Sequence, residues 1–282
     1  MRRSARLPPR TGCEPMTVTT SQDLAALEDA LLPLVQRAGA AILRHYAGEI
    51  ETAYKADRSP VTAADQEAEE ILVEGLRRLT PEIPVVAEEA VAAGRIPEVG
   101  DAPFWLVDPL DGTREFLSRN GEFTVNLGLV RGRRPVFGIV MAPARGCIWV
   151  GIADRGAFRR EKGERVAIRV RAADPAQLVA VASRSHRDPE TDAWLRAHAV
   201  ARTISAGSSL KFCAVAEGRA DVYPRFGPTM EWDTAAGHAV LAAAGGRVVT
   251  VTGEPLAYAK PGFRNPGFIA YGGLEPFPPE GA

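Results

Sequence analysis

The sequence predicts an α/β protein in two parts, an α+β N-terminal part built on antiparallel strands and an α/β C-terminal part. Three observations carry that prediction. A long run of helical periodicity opens the chain, three closely spaced strand-like runs fill its middle, and strands alternate with helices in its second half. The rhythm changes between residues 160 and 175. The chain therefore divides into a disordered extension over 1–16, an N-terminal domain over 17–165 and a C-terminal domain over 166–282.

The first helix is read from the spacing of Leu24, Leu27, Leu31, Leu34, Val35, Ala38 and Ile42, which gives one apolar face over Ser21 to Tyr46. Pro33 lies inside it and lacks a donor N–H, which predicts a kink or a later true start. A second helix begins near Thr62, where Pro60 marks the entry and Thr62 to Asp65 has capping-box spacing. Short strands follow at Val85–Ala87 and Phe104–Val107. Thr124–Val130, Pro135–Met141 and Cys147–Ile152 then read as antiparallel hairpins, with Phe158 and Val166–Val170 extending the sheet. In the second half, strands at Val179–Ala182, Thr203–Ser205, Asp221–Tyr223 and Val248–Val251 alternate with helices near Pro189–His198, Ser209–Glu217 and Thr234–Ala244.

The composition excludes several classes. With 46% hydrophobic residues and a net charge of -1, the 282-residue chain can bury a core and has no basic excess for a nucleic-acid polymer. Cys13, Cys147 and Cys213 are odd in number and scattered, so neither a disulfide framework nor a zinc site is indicated, and a reducing cytoplasm fits. Arg2, Arg3, Arg6 and Arg10 precede no apolar stretch of a secretion signal, and no run has the length of a membrane span. A start at Met16 is the plainer reading of that terminus. Only four of the 34 basic residues are Lys, which singles each of them out.

Acids stand where a plain fold does not need them. Phe104–Val107 ends in Asp108-Pro109-Leu110-Asp111-Gly112-Thr113. Two carboxylates about 4 Å apart at an effective dielectric of about 20 repel by ~4 kcal/mol unless cations neutralise them. Oxygen donors of this kind select Mg²⁺, Ca²⁺ or Mn²⁺ over zinc. Gly112 permits positive φ, and a helix starting after it aims N–H groups at an anion. The alternative is an Asx turn with two solvated acids. Glu88-Glu89 repeats the pattern after Val85-Val86-Ala87, although a glutamate pair alone is also ordinary surface. Asp233, in Trp232-Asp233-Thr234-Ala235-Ala236-Gly237, sits where a helix N-cap belongs, and a cap is its plain reading. Asp65 is equally a first-turn acid that favours the helix dipole. No P-loop, G-x-G-x-x-G, G-x-S-x-G or H-E-x-x-H competes with this set.

Taken in order, Asp65, Glu88-Glu89, Asp108 to Thr113 and Trp232 to Gly237 resemble the inositol monophosphatase superfamily of lithium-sensitive phosphatases, over about Leu24 to Tyr271. The resemblance implies a layered α/β/α/β/α sandwich and two or three Mg²⁺ ions. It implies metal ligands at Glu88, Asp108, the Leu110 carbonyl, Asp111 and Asp233, and it gives Asp65, Thr113 and Glu88 the catalytic roles, with Asp65 and Thr113 orienting and deprotonating the attacking water. Ser183-Arg184-Ser185-His186, Gly207 to Cys213, Tyr223 to Thr229 and Phe263 to Phe268 are similar to the 3'(2'),5'-bisphosphate nucleotidase branch of sulfate assimilation. By that similarity the substrate is 3'-phosphoadenosine 5'-phosphate, converted to AMP and phosphate. Glu88, Leu110, Asp111, Gly112, Thr113, His186, Gly207, Lys211 and Asp233 would then contact it. An inositol or sugar phosphatase is the alternative enzyme, and a non-catalytic nucleotide- or metal-binding protein is the alternative outside enzymes. The resemblance also admits a homodimer and peripheral attachment to the inner face of the membrane.

Overall fold

A computed structural model describes residues 15–48, 52–54, 60–183 and 188–278. In chain order the elements are α1 (Ser21–Ala47), β1 (Thr52–Tyr54), β2 (Pro60–Thr62), α2 (Ala63–Leu79), β3 (Val85–Ala87), α3 (Glu88–Ala92), β4 (Phe104–Asp111) and α4 (Thr113–Leu117). Four antiparallel strands follow β4 and a fifth closes the edge of the same sheet: β5 (Thr124–Arg131), β6 (Arg134–Ala142), β7 (Cys147–Ile152), β8 (Gly156–Glu161) and β9 (Glu164–Ile168). The remainder is β10 (Val179–Ala182), α5 (Pro189–Ala197), β11 (Arg202–Ser205), α6 (Leu210–Ala216), β12 (Val222–Arg225), β13 (Thr229–Met230), α7 (Glu231–Ala243), β14 (Arg247–Thr250), β15 (Arg264–Asn265) and β16 (Phe268–Tyr271).

These elements stack in five layers, α/β/α/β/α. The α1–α2 pair covers one face of the seven-stranded sheet β3-β4-β5-β6-β7-β8-β9 and buries Leu27, Leu31, Leu72 and Leu76 against Trp105, Leu127 and Ile139. On the other face α6 and α7 form the central layer, and beyond them lies the five-stranded sheet β11-β10-β12-β16-β14. Outermost, α5 places Trp194 and Leu195 on Val222, Ile269 and Tyr271. The core between the sheets draws on both halves of the chain, Leu106 and Val140 meeting Phe212 and Val240.

Several elements differ from expectation, each for a physical reason. The α1 helix starts at Ser21 and passes through Pro33 without a late start, because Thr20 and Asp23 already form a complete capping box. The β4 strand does not stop at Val107. It resumes pairing at Asp111 after a bulge, since Pro109 has no N–H for the ladder. The short elements β1, β2, α3, α4, β13, β15 and β16 are too brief, or too rich in Pro and Gly, to show a period. Asp233 is not the cap of α7. The helix begins at Glu231, three residues before the expected Thr234, Met230 is the cap residue, and Asp233 is at the third helical position, accepting the Met230 N–H at 2.8 Å.

The α7 helix lies unusually close to the large sheet. Gly128 pairs with Gly138 and Gly138 with Gly151, so three glycines form a lane across β5, β6 and β7. A Cβ at Gly138 would stand 2.4 Å from the Ala236 carbonyl oxygen, and one at Gly151 would stand 2.4 Å from the Val240 Cα. The lane fixes the height of α7, and with it the height of Asp233. No helix among the described residues is long and apolar enough to cross a membrane.

Candidate active site

The bulge in β4 decides where its acids point. Side chains alternate along a strand, so Trp105 and Val107 face α1 and α2 while Leu106 faces α7. By that alternation Asp108 falls on the α7 face and Asp111 on the other. The register, however, matches Asp108 with Asn126 and Asp111 with Thr124, three residues against two. The extra residue resets the alternation and brings Asp111 to the α7 face as well. Leu110 takes the opposite direction and joins the core beneath α2.

Neighbouring elements bring further acids to the same place. Strand β3 runs parallel to β4, with Ala87 beside Val107, so Glu88 follows at the same sheet end as Asp108. Glu69, from α2, accepts the Glu89 N–H at 2.8 Å and so holds the start of α3. The first turn of α7 supplies Asp233. The first turn of α2 supplies Asp65, whose Oδ2 accepts the Thr62 N–H (2.8 Å) and hydroxyl (2.6 Å). Its Oδ1 stands 3.4 Å from the Thr113 hydroxyl, which also lies 3.4 Å from the Leu110 carbonyl. The short α4 helix under Thr113 is anchored by tilted and edge-on packing among Tyr46, Phe116 and Phe123, with centroids 4.9–5.3 Å apart. Gly112 has φ +90, and a Cβ there would stand 2.2 Å from the Ser208 hydroxyl, so only glycine fits this turn.

These residues meet at a cavity of about 310 Å³. Glu88, Asp111, Gly112, Thr113 and Asp233 line it, and Asp108, only 2% exposed, lies beneath. The cations Arg114, Lys211 and Arg225 line it too, with Ser183 and Tyr223. His186 lies outside the described residues. Gly207 does not line the cavity: its N–H donates to Glu122 Oε2 at 3.0 Å, and a Cβ there would meet the Glu122 carbonyl oxygen at 2.7 Å.

Electrostatics mark the acids as a donor set. Burial pushes the Asp108 carboxyl well above the usual carboxylate range, and the charges of Glu88, Asp111, Asp233 and Asp65 push it further. Burial also raises Asp233 strongly, reinforced by Asp111 and Glu88. Asp111 is raised by burial against the opposing pull of Lys211. Burial lowers Lys211 to about 8, with Asp111 resisting. A group of buried acids that raise one another is the arrangement that hard cations stabilise, and the oxygen-only donors suit Mg²⁺ rather than zinc. Among the described residues no three acids stand close enough to hold an ion as they are, so the donors converge on the cavity without closing a cage.

Three further residues, Glu69, Asn126 and Ser209, support the site. Asn126 had a signal, as a lone amide within the apolar run of β5, and its Nδ2 stands 3.3 Å from Asp111 Oδ2. Glu69 is four residues after Asp65 and therefore on the same helix face.

A family model described as the inositol monophosphatase family matches residues 23–269. The 3'(2'),5'-bisphosphate nucleotidase CysQ of Escherichia coli (strain K12) is 48% identical over 243 residues, covering 85% of this chain and 97% of its own. The crystal structure of CysQ from Bacteroides thetaiotaomicron superposes with a TM-score of 0.75 at 39% identity, covering 89% and 98% of the two chains. An inositol monophosphatase from Anabaena (Nostoc) sp. PCC 7120 superposes with a TM-score of 0.71 at 27% identity, covering 89% and 92%.

Proposed function

The chain belongs to the inositol monophosphatase family, and on that premise we propose that it is a magnesium-dependent phosphomonoesterase acting as a 3'(2'),5'-bisphosphate nucleotidase. The observation that carries this reading is one cavity lined both by the acids Glu88, Asp111 and Asp233 and by the cations Arg114, Lys211 and Arg225. The acids suit a metal-assisted phosphate ester. The cations suit a second phosphate on the same molecule, which an inositol monophosphate lacks.

Glu88, Asp108, the Leu110 carbonyl, Asp111 and Asp233 would hold Mg²⁺, two or three ions in all. Bound magnesium supplies charge neutralisation on the phosphoryl group and acidifies water. The chain's own residues do the rest. The start of α4 at Gly112 and Thr113 presents N–H groups to the scissile phosphate. The Thr113 hydroxyl, donating to Asp65 Oδ1, accepts from the attacking water and orients it in line with the leaving 3' oxygen. Asp65 Oδ1 receives the proton, while Oδ2 stays fixed by Thr62. Lys211 and Arg225 bind the 5'-phosphate. Among the described residues Cys147 and Cys213 are buried free thiols, which supports a reducing compartment.

The test is phosphate release with magnesium from 3'-phosphoadenosine 5'-phosphate against inositol 1-phosphate. A higher kcat/KM for the nucleotide is expected. Preference for the inositol ester would overturn the nucleotidase assignment and leave the phosphatase standing.

A further inference from the structure

Asp111 and Asp233 reach the cavity from opposite halves of the chain, and the charge of Asp111 acts against that of Asp233. One residue touches both arms. Ser209 is 1% exposed and sits just before α6. Its backbone N–H donates to Asp111 Oδ2 at 2.7 Å, and its hydroxyl donates to the Asp233 carbonyl at 3.0 Å.

The segment around Ser209 is held firmly enough to act as a joint. Ser208 adopts φ +50, and its hydroxyl lies 2.8 Å from the Asp111 carbonyl and 2.7 Å from the Glu122 carbonyl. Gly207 donates to the Glu122 carboxylate, which pairs with Arg145 at 2.8 Å. Lys211 closes the segment by donating to the Ser208 carbonyl at 2.7 Å.

From this geometry we propose that Ser209 is a positioning residue that sets the spacing of the two acid arms before and during metal binding. It offers one neutral donor to each arm. A cationic side chain in its place would neutralise the acids and compete with the metal, whereas Ser209 fixes the arms and leaves their charge available. Among the described residues every donor to the Asp111 carboxylate goes to Oδ2, those of Ser209, Asn126 and Thr124, and Oδ1 takes none. The inference rests on the magnesium reading above and adds a residue that does not line the cavity.

The test measures Mg²⁺ binding to the full chain by calorimetry without substrate, at a temperature where circular dichroism shows each variant folded. Ser209→Ala removes the hydroxyl and keeps the N–H. It is expected to bind Mg²⁺ about fivefold more weakly, the factor set by ~1 kcal/mol for one neutral hydrogen bond. The half-saturating Mg²⁺ for phosphate release should rise by the same factor, with kcat at saturating metal within about twofold of the parent. Ser209→Thr, which keeps the hydroxyl, should restore the parent affinity. Equal Mg²⁺ affinity in S209A and a parent that binds the ion would overturn this inference alone. S209T binding as weakly as S209A would overturn it too, since the hydroxyl would not be the cause. A parent chain that bound no Mg²⁺ would overturn the metal reading and this inference with it.

Discussion

Gly138→Ala places one methyl group under the helix that carries Asp233. The new Cβ would stand 2.4 Å from the Ala236 carbonyl oxygen, 2.8 Å from the Ala239 Cβ and 3.0 Å from the Ala236 carbonyl carbon. Carbon contacts settle at about 3.5–4.0 Å, so α7 must retreat by roughly 1 Å. Overpacking of this kind costs about 1–3 kcal/mol, while replacing glycine in a strand returns at most about 1 kcal/mol. The net loss is about 1 kcal/mol and at most about 2.5 kcal/mol, and each kcal/mol corresponds to a fall of roughly 2–4 °C in melting temperature for a chain of this size. The same retreat moves Asp233 away from Asp111, and a misplacement near 1 Å costs on the order of 100-fold in rate. Thermal melts and magnesium-dependent phosphate release read both effects. Gly100→Ala is the control, because nothing lies within 4 Å of its added Cβ. Gly128→Ala, whose Cβ would meet Ala235 at 2.7 Å close to Asp233, should lower the rate more than Gly151→Ala, whose clash falls farther along α7 at Val240. A Gly138→Ala protein with the melting temperature and rate of the Gly100→Ala control would refute the argument that the lane sets the position of Asp233.

Three further outcomes are expected. Thr113→Ala and Asp65→Asn should each lower kcat by about 10²–10⁴ while calorimetric Mg²⁺ affinity stays within a few fold, since both act on the water. Lys211→Met should raise KM for the bisphosphate substrate with a smaller change in kcat; an unchanged KM would remove Lys211 from the second-phosphate role. His238 is buried beside Tyr258, with Nδ1 3.0 Å from its hydroxyl, and burial lowers its pKa to about 3. The unfolded histidine takes its proton near 6.5, so between pH 6.5 and 3 the unfolded chain holds more protons. Stability contributed by the neutral ring is therefore present above 6.5 and lost as pH falls, by at most about 5 kcal/mol. Urea denaturation from pH 7.5 to 4.5 should show a shallower acid loss in His238→Gln than in the parent.

What the sequence conveys here depends on the range of the interaction. Helical periods in α1 and α2, the capping box at Thr62 and the hairpins β5 to β7 are local, and each is visible in a window of a few residues. The acids were visible because Asp108 and Asp111 interrupt buried strand, where solvated carboxylates do not belong. The orientation of Asp111 was not, because the bulge appears only once β4 and β5 are aligned. Asp233 reads as a cap in the sequence because the true cap, Met230, has no acceptor typical of that position. The glycine lane is hidden similarly. Gly128, Gly138 and Gly151 are separated by turns and line up only through strand register. Ser209 reads as an ordinary helix-start serine until its two partners, from distant parts of the chain, are brought to it.

The central claim is that a carboxylate cluster centred on Asp111 performs metal-dependent hydrolysis of a bisphosphate nucleotide. Its most direct test is the rate of phosphate release from 3'-phosphoadenosine 5'-phosphate by the parent chain and by Asp111→Asn, each titrated with Mg²⁺. The parent is predicted to turn over only with the metal, and the variant to lose at least about 10²-fold in kcat/KM at every Mg²⁺ concentration. An Asp111→Asn protein that released phosphate at the parent rate would contradict the account.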